Sequence, residues 1–361
     1  MARRLILHIG LMKSGTTYLQ GKLVANRDRL LGQGVLFPGR MWADQWKALR
    51  DYIDFEHGAP GAWERLRAEI DAHPDTVLLS VEHFAAIERA HIERLPSVFP
   101  DTEITAIVTV RDLGRQVPSM WQEVVKNGST WTLQQYVDGL REAAPPDDEE
   151  GMRRKIYRTF WTRHNANKIV RRWADYLGME NLTVVVTPPQ GAPSDLLWRR
   201  FCEAAGLQGE EWDEPIRGNR SIRATSVALM RDLNEQVRDL PRPEHHRIVK
   251  PLANLLLPEL GLDEPSIGFT VPDWLQRRSR AIVGNLESTG VRIIGDTAEL
   301  DPVDSSGTSP DEVDASARLE LAVAALAALL REDAIESWRR ADYARRVAQA
   351  EAADQRGTNA Q

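Results

Sequence analysis

The chain has 361 residues, enough for one large domain or for a domain with appendages. Hydrophobic residues at 42% and charged residues at 27% place it among ordinary folded proteins, and no apolar run approaches the ~20 residues of a membrane helix. A net charge of −7 argues against a general nucleic-acid or polyanion surface, and a single cysteine, Cys202, excludes an internal disulfide and makes a Cys/His metal site unexpected.

The N-terminal Met1-Ala2-Arg3-Arg4 is basic but has no h-region and no small-residue cleavage site. With the lone cysteine this leads to the expectation of a cytoplasmic protein. Arg4–Ile9 reads as a short buried strand and Thr16–Leu31 as a helix, with Leu19, Leu23, Leu30 and Leu31 near helical spacing. Val35-Leu36-Phe37 is a short strand stopped by Pro38-Gly39. Helical stretches follow at Trp42–Phe55 and Gly61–Ala72, then strands at Thr76–Val81 and Glu103–Val110. Leu113–Lys126 is a helix that carries Pro118, and Leu182–Thr187 is a strand ended by Pro188-Pro189. The acidic run Asp147–Glu150 reads as a solvated loop.

Strands that alternate with helices imply an α/β fold, a central parallel sheet flanked by helices on both faces. Beyond residue 190 the pattern turns helical, at Ser194–Ala205, at Ser221–Arg238 with Ser221 as N-cap, and at Trp274–Thr289. A last strand is expected at Val291–Gly295. The expected organisation is a main domain over 1–300, a polar linker over 301–316, a helical extension over 317–353 and a disordered tail over 354–361. The extension's apolar positions Leu319, Val323, Leu326 and Leu330 call for burial, on the main domain or between two chains of a homodimer.

The strongest chemical signal is Leu5-Ile6-Leu7-His8-Ile9-Gly10-Leu11-Met12-Lys13-Ser14-Gly15-Thr16-Thr17. A buried strand runs through a Gly-containing turn into a helix, which presents backbone N–H groups and the positive helix end to an anion. Lys13 adds a full charge, and Thr16 and Thr17 add hydroxyls. A plain turn would need neither. A Walker A loop would place its lysine after the second glycine, whereas Lys13 stands two residues before Gly15.

The order Gly-x-x-Lys-x-Gly-Thr-Thr resembles the 5'-phosphosulfate loop of sulfotransferases that use 3'-phosphoadenosine 5'-phosphosulfate (PAPS). In that family an Arg at a strand end and a Ser eight positions later hold the donor's 3'-phosphate. Here Ala106-Ile107-Val108-Thr109-Val110-Arg111 is followed by Ser119 at that spacing. The stretch from Arg111 to Glu123, Asn219-Arg220-Ser221 and Ile293-Ile294-Gly295-Asp296 are similar to bacterial members. The resemblance covers roughly residues 4–300 and implies a single P-loop-like α/β domain, related to nucleoside kinases. It implies Lys13, Ser14, Gly15, Thr16, Thr17, Arg111 and Ser119 as donor-binding residues. No match is found to the basic C-terminal loop that completes the 3'-phosphate site in cytosolic vertebrate enzymes; Arg220, or Arg217, is the candidate substitute.

Sulfuryl transfer needs a base for the acceptor proton and a positive charge for the leaving phosphate oxygen. Lys13 is the natural stabiliser. Leu78-Leu79-Ser80-Val81-Glu82-His83 supplies two base candidates at a strand end. Bacterial relatives often carry Ser-x-Glu here, so Glu82 is favoured and His83 is second. The bland alternative is that Glu82 caps a helix at Phe84–Arg89. His8, inside the first strand, reads as a buried hydrogen-bond partner. His57, His73, His91, His164, His245 and His246 read as surface residues, and Trp42, Trp46, Trp63 and Trp131 as mostly core, with some lining an acceptor pocket.

No metal is expected. A nucleotide kinase, with Asp112 imitating a magnesium-holding Asp, is the first alternative, and a non-catalytic binding protein on the same scaffold is the second. The expected acceptor is a carbohydrate, a lipid headgroup or a small natural product.

Overall fold

A computed structural model describes residues 2–54, 59–141, 151–209, 211–214, 222–260, 263–331 and 340. His57, the run Asp147–Glu150, Arg217, Asn219-Arg220-Ser221 and the tail expected over 354–361 lie outside the described residues. The elements in chain order are β1 (Arg4–Gly10), α1 (Thr16–Ala25), α2 (Arg27–Gly32), β2 (Val35–Leu36), α3 (Trp42–Tyr52), α4 (Ala62–Ala72), β3 (Thr76–Ser80), α5 (Arg89–Val98), β4 (Glu103–Val110) and α6 (Leu113–Lys126). They continue with α7 (Leu133–Arg141), α8 (Met152–His164), α9 (Ala166–Leu177), β5 (Leu182–Val186), α10 (Leu196–Ala205), α11 (Ala224–Gln236), α12 (Arg242–Ile248), α13 (Leu257–Glu259), α14 (Asp273–Glu287), β6 (Arg292–Ile294) and α15 (Ala315–Leu329).

The chain forms two compact units. One comprises Met1–Trp121, Thr132–Gly218 and Phe269–Ser306, and holds the whole sheet. The other comprises Gln122–Trp131, Asn219–Gly268 and Gly307–Gln361.

The sheet has six strands in the order β2-β3-β1-β4-β5-β6, all parallel. Period-two alternation sorts the strand side chains into two apolar layers. Leu5, Leu7, Ile9, Leu79, Val108 and Val184 pack with Leu49, Ile70, Ile92 and Trp173, drawn from α3, α4, α5 and α9. Ile6, Leu78, Ile107 and Val185 pack on the opposite face with Leu19, Leu23, Trp198 and Phe201 from α1 and α10. Coverage on both faces is why β1 and β4 read as continuous apolar runs.

One sequence expectation changes here. The helix expected over Thr16–Leu31 breaks into two at Asn26, whose Nδ2 donates to the Lys22 carbonyl at 2.8 Å and to Asp213 O at 3.0 Å. The side chain competes with the backbone ladder and ends the first helix.

In the second unit Asn234 is buried and central. Its Nδ2 donates to Val125 O at 2.8 Å and Ser129 O at 2.9 Å, and its Oδ1 accepts from His245 Nε2 at 2.9 Å. His245 is therefore buried, contrary to its reading as a surface residue. Asp314 caps α15 by accepting from Ala317 N. Within α15 only Leu321 is buried, while Leu319, Val323, Leu326 and the following Leu330 are exposed. No helix among the described residues is long and apolar enough to cross a membrane.

Candidate functional site

β1 lies between β3 and β4, and the chain leaves β1 toward β2 but leaves β4 toward β5. The carboxyl ends of β1 and β4 therefore flank a topological switch point, where open α/β sheets bind ligands. Two segments project there, Leu11–Gly15 after β1 and Arg111-Asp112 after β4.

The loop depends on unusual backbone. Lys13 has φ 62° and Gly15 has φ 84°, both left-handed. Gly15 takes the cap position of α1 and has no side chain with which to cap the first N–H groups of that helix. The four consecutive carbonyls beneath are all taken. Ser14 Oγ donates to Leu11 O, Gln116 Nε2 to Met12 O at 2.9 Å, Arg111 Nη1 to Lys13 O at 3.2 Å and Thr187 Oγ1 to Ser14 O at 3.0 Å. The Leu11 N–H is also taken, donating to Thr109 O at 2.7 Å. Those fixed bonds hold the strained Lys13 backbone in place.

A buried polar chain supports the loop. Ser14 Oγ also lies 2.7 Å from Thr109 Oγ1, which lies 3.2 Å from His8 Nε2, and His8 Nδ1 lies 2.7 Å from Ser80 Oγ. Ile6 and His8, Leu78 and Ser80, Ile107 and Thr109 are alternate positions of three adjacent strands, so the polar trio caps the apolar layer at the sheet's carboxyl edge. Burial pushes the His8 imidazole down to about 3. His8 is thus a neutral hydrogen-bond partner beneath the loop.

Beyond Ser80, Glu82 and His83 open a short 3₁₀ turn over Glu82–Ala86, with Val81 at the cap position. The Glu82 backbone lies against Gly10, and its Oε2 accepts from Gln20 Nε2 of α1 at 2.8 Å. Gln20 also donates to Ser80 O at 3.2 Å. The carboxylate is therefore directed to the helix that the loop begins. The His83 ring stacks on Trp46 of α3, with centroids 3.9 Å apart. Gln45, one residue earlier in α3, accepts from Ser80 N at 2.8 Å and fixes α3 at the end of β3.

At the end of β4, burial and the nearby Arg115 bring the Arg111 guanidinium down to about 10, so it remains a cation at neutral pH. Ser119 is half-buried about two turns into α6 at ~3.6 residues per turn. Asp112 is buried and accepts from Arg115 N at 2.9 Å and from Arg115 Nε. Gly114 lets the start of α6 approach residue 303, since a Cβ there would stand 2.5 Å from the Val303 carbonyl oxygen.

The structure thus brings Lys13, Ser14, Gly15, Thr16, Glu82 and Arg111 to one edge of one sheet. Ser14 and Thr16 are buried, Lys13 is half-buried and Thr17 is exposed. Ser14 spends its hydroxyl inside the loop. Gln20, Thr109, Gln116 and Thr187 are supporting residues that the sequence reading missed. His164, read as a surface residue, is buried at the end of α8, with its ring 4.5 Å from that of Phe160. Trp46 and Trp63 are half-buried and pack against the core, as expected of core residues, while Trp42 and Trp131 are half-buried.

No protein-family model matches the chain, and no curated protein matches it. Among solved structures it is similar to a sulfotransferase from Alicyclobacillus acidocaldarius. That likeness has 15% identity and a TM-score of 0.39, and covers 68% of this chain and 100% of the other. At that distance it decides nothing about what this chain does.

Proposed function

We propose that this protein is a sulfotransferase that moves a sulfuryl group from PAPS to an acceptor hydroxyl or amine. The observation that supports this most is the Leu11–Gly15 loop, whose carbonyls from Leu11 to Ser14 are held by protein donors and which carries Lys13 and leads through Gly15 into the start of α1. Such a cradle suits the 5'-phosphosulfate. Arg111, charged and half-buried, with Ser119 on the following helix, suits the 3'-phosphate.

In this reading the acceptor oxygen or nitrogen attacks sulfur, the bond from sulfur to the 5'-phosphate oxygen breaks, and the acceptor proton passes to Glu82. Lys13 and the loop amides balance the charge that develops on the leaving phosphate. Gln20 holds the Glu82 carboxylate in place. The acceptor is a carbohydrate, a lipid headgroup or a small natural product, and no metal takes part.

The test follows labelled sulfate from PAPS into a panel of acceptor extracts, with and without magnesium. Transfer that persists without magnesium supports the sulfotransferase reading over a nucleotide kinase. Lys13→Ala should lower turnover by about 10²–10³-fold without unfolding the chain. Near wild-type turnover in that variant would mean that the loop is only a turn.

A further inference from the structure

Beside Leu11 of the loop the sheet unit has a small, partly open cavity of about 20 Å³, room for about one water. Leu11, Arg111, His164 and Ser279 line it together with apolar residues of α14. His164 is buried, and neither ring nitrogen has a hydrogen-bond partner among the described protein groups. Arg111 Nε is also buried without one, although Nη1 of the same guanidinium reaches the Lys13 carbonyl. Polar atoms left unpaired in a protein interior are costly, and a cavity bounded by several of them is where an ordered water is retained.

We infer that His164 is a positioning residue for Arg111, linked to it through one ordered water in this cavity. The donors and acceptors match. Arg111 Nε–H donates to the water oxygen, and the water donates to the bare nitrogen of a neutral imidazole. Ser279 Oγ gives its own proton to Leu300 O at 3.3 Å, so it can accept the water's second proton. Burial, with Arg163 and Lys13 nearby, pushes His164 down to about 3, so the imidazole keeps a bare nitrogen at neutral pH. The water then fixes the guanidinium plane whose other edge holds the loop. The consequence for 3'-phosphate recognition rests on the donor reading above.

Two measurements keep the link and that reading apart. A crystal structure of the wild-type chain without donor, at a resolution that shows waters, should reveal one within hydrogen-bond distance of a His164 ring nitrogen and of Arg111 Nε. An empty cavity, or a water that touches only one of them, overturns the inference whatever the variants do. Calorimetry with adenosine 3',5'-bisphosphate and with AMP then compares wild type, His164→Leu and His164→Gln. His164→Leu should weaken bisphosphate binding about tenfold and change AMP binding by less than about twofold, while His164→Gln, which keeps a polar acceptor, recovers most of the loss. Equal loss for both ligands, or His164→Gln behaving as His164→Leu, would assign His164 a packing role only. If the wild-type chain does not prefer the bisphosphate, the donor reading fails and the crystallographic result alone decides the link.

Discussion

Glu82 lies directly against Gly10, where an added Cβ would stand 2.9 Å from the Glu82 carbonyl oxygen and 3.0 Å from its Cα and Cβ. The last residue of β1 therefore sets how closely the base candidate approaches that strand. Gly10 also has φ 104°, which a side chain would strain. Gly10→Ala should destabilise the chain by about 1–3 kcal/mol in urea unfolding, and should lower turnover further by displacing Glu82. Wild-type stability in that variant would mean that the two backbones are not in contact.

The two base candidates face different neighbours, Glu82 toward Gln20 and His83 toward Trp46. Glu82→Gln keeps the size of the side chain and removes the proton acceptor. It should cut turnover about 10²-fold or more with bisphosphate binding preserved, while His83→Gln should cost much less. Gln20→Ala should fall between them, because it frees the carboxylate without removing it. Rate measurements at saturating donor decide the order, and a larger loss in His83→Gln would reverse the assignment.

Stability should depend on two buried histidines. His8 and His164 are both lowered from 6.5 to about 3, chiefly by burial. Between those values the unfolded chain binds protons that the folded chain does not, so stability falls as pH drops through that window and is full above it. Each histidine adds a slope of at most about 1.4 kcal/mol per pH unit. Urea midpoints measured from about pH 7 to about pH 4 should fall more steeply for wild type than for His8→Asn. Equal slopes would contradict the neutral, buried assignment of His8.

The sheet was legible because β1 and β4 are covered on both faces, and such strands read as unbroken apolar runs. The loop's lysine and glycines were legible for the same local reason. Its supports were not. Thr187 holds Ser14 across 173 positions and Gln20 holds Glu82 across 62, and no local pattern carries contacts of that kind. Thr109 had a usable signal, since it shares a strand face with Ile107 next to the loop. His164 had one too. Ile156, Phe160 and His164 recur at four-residue spacing and are all buried, one apolar stripe that the polar neighbours Arg163 and Asn165 disguised.

Calorimetric titration of the wild-type chain with adenosine 3',5'-bisphosphate and with AMP shows whether the 3'-phosphate is recognised. Arg111 and Ser119 are assigned to the 3'-phosphate, the one group that separates the two ligands. The bisphosphate should bind at least about tenfold more tightly, as expected for charge-assisted hydrogen bonds to a half-buried guanidinium, and Arg111→Ala should abolish the difference. Equal affinity of the wild-type chain for the two ligands would contradict PAPS as the donor.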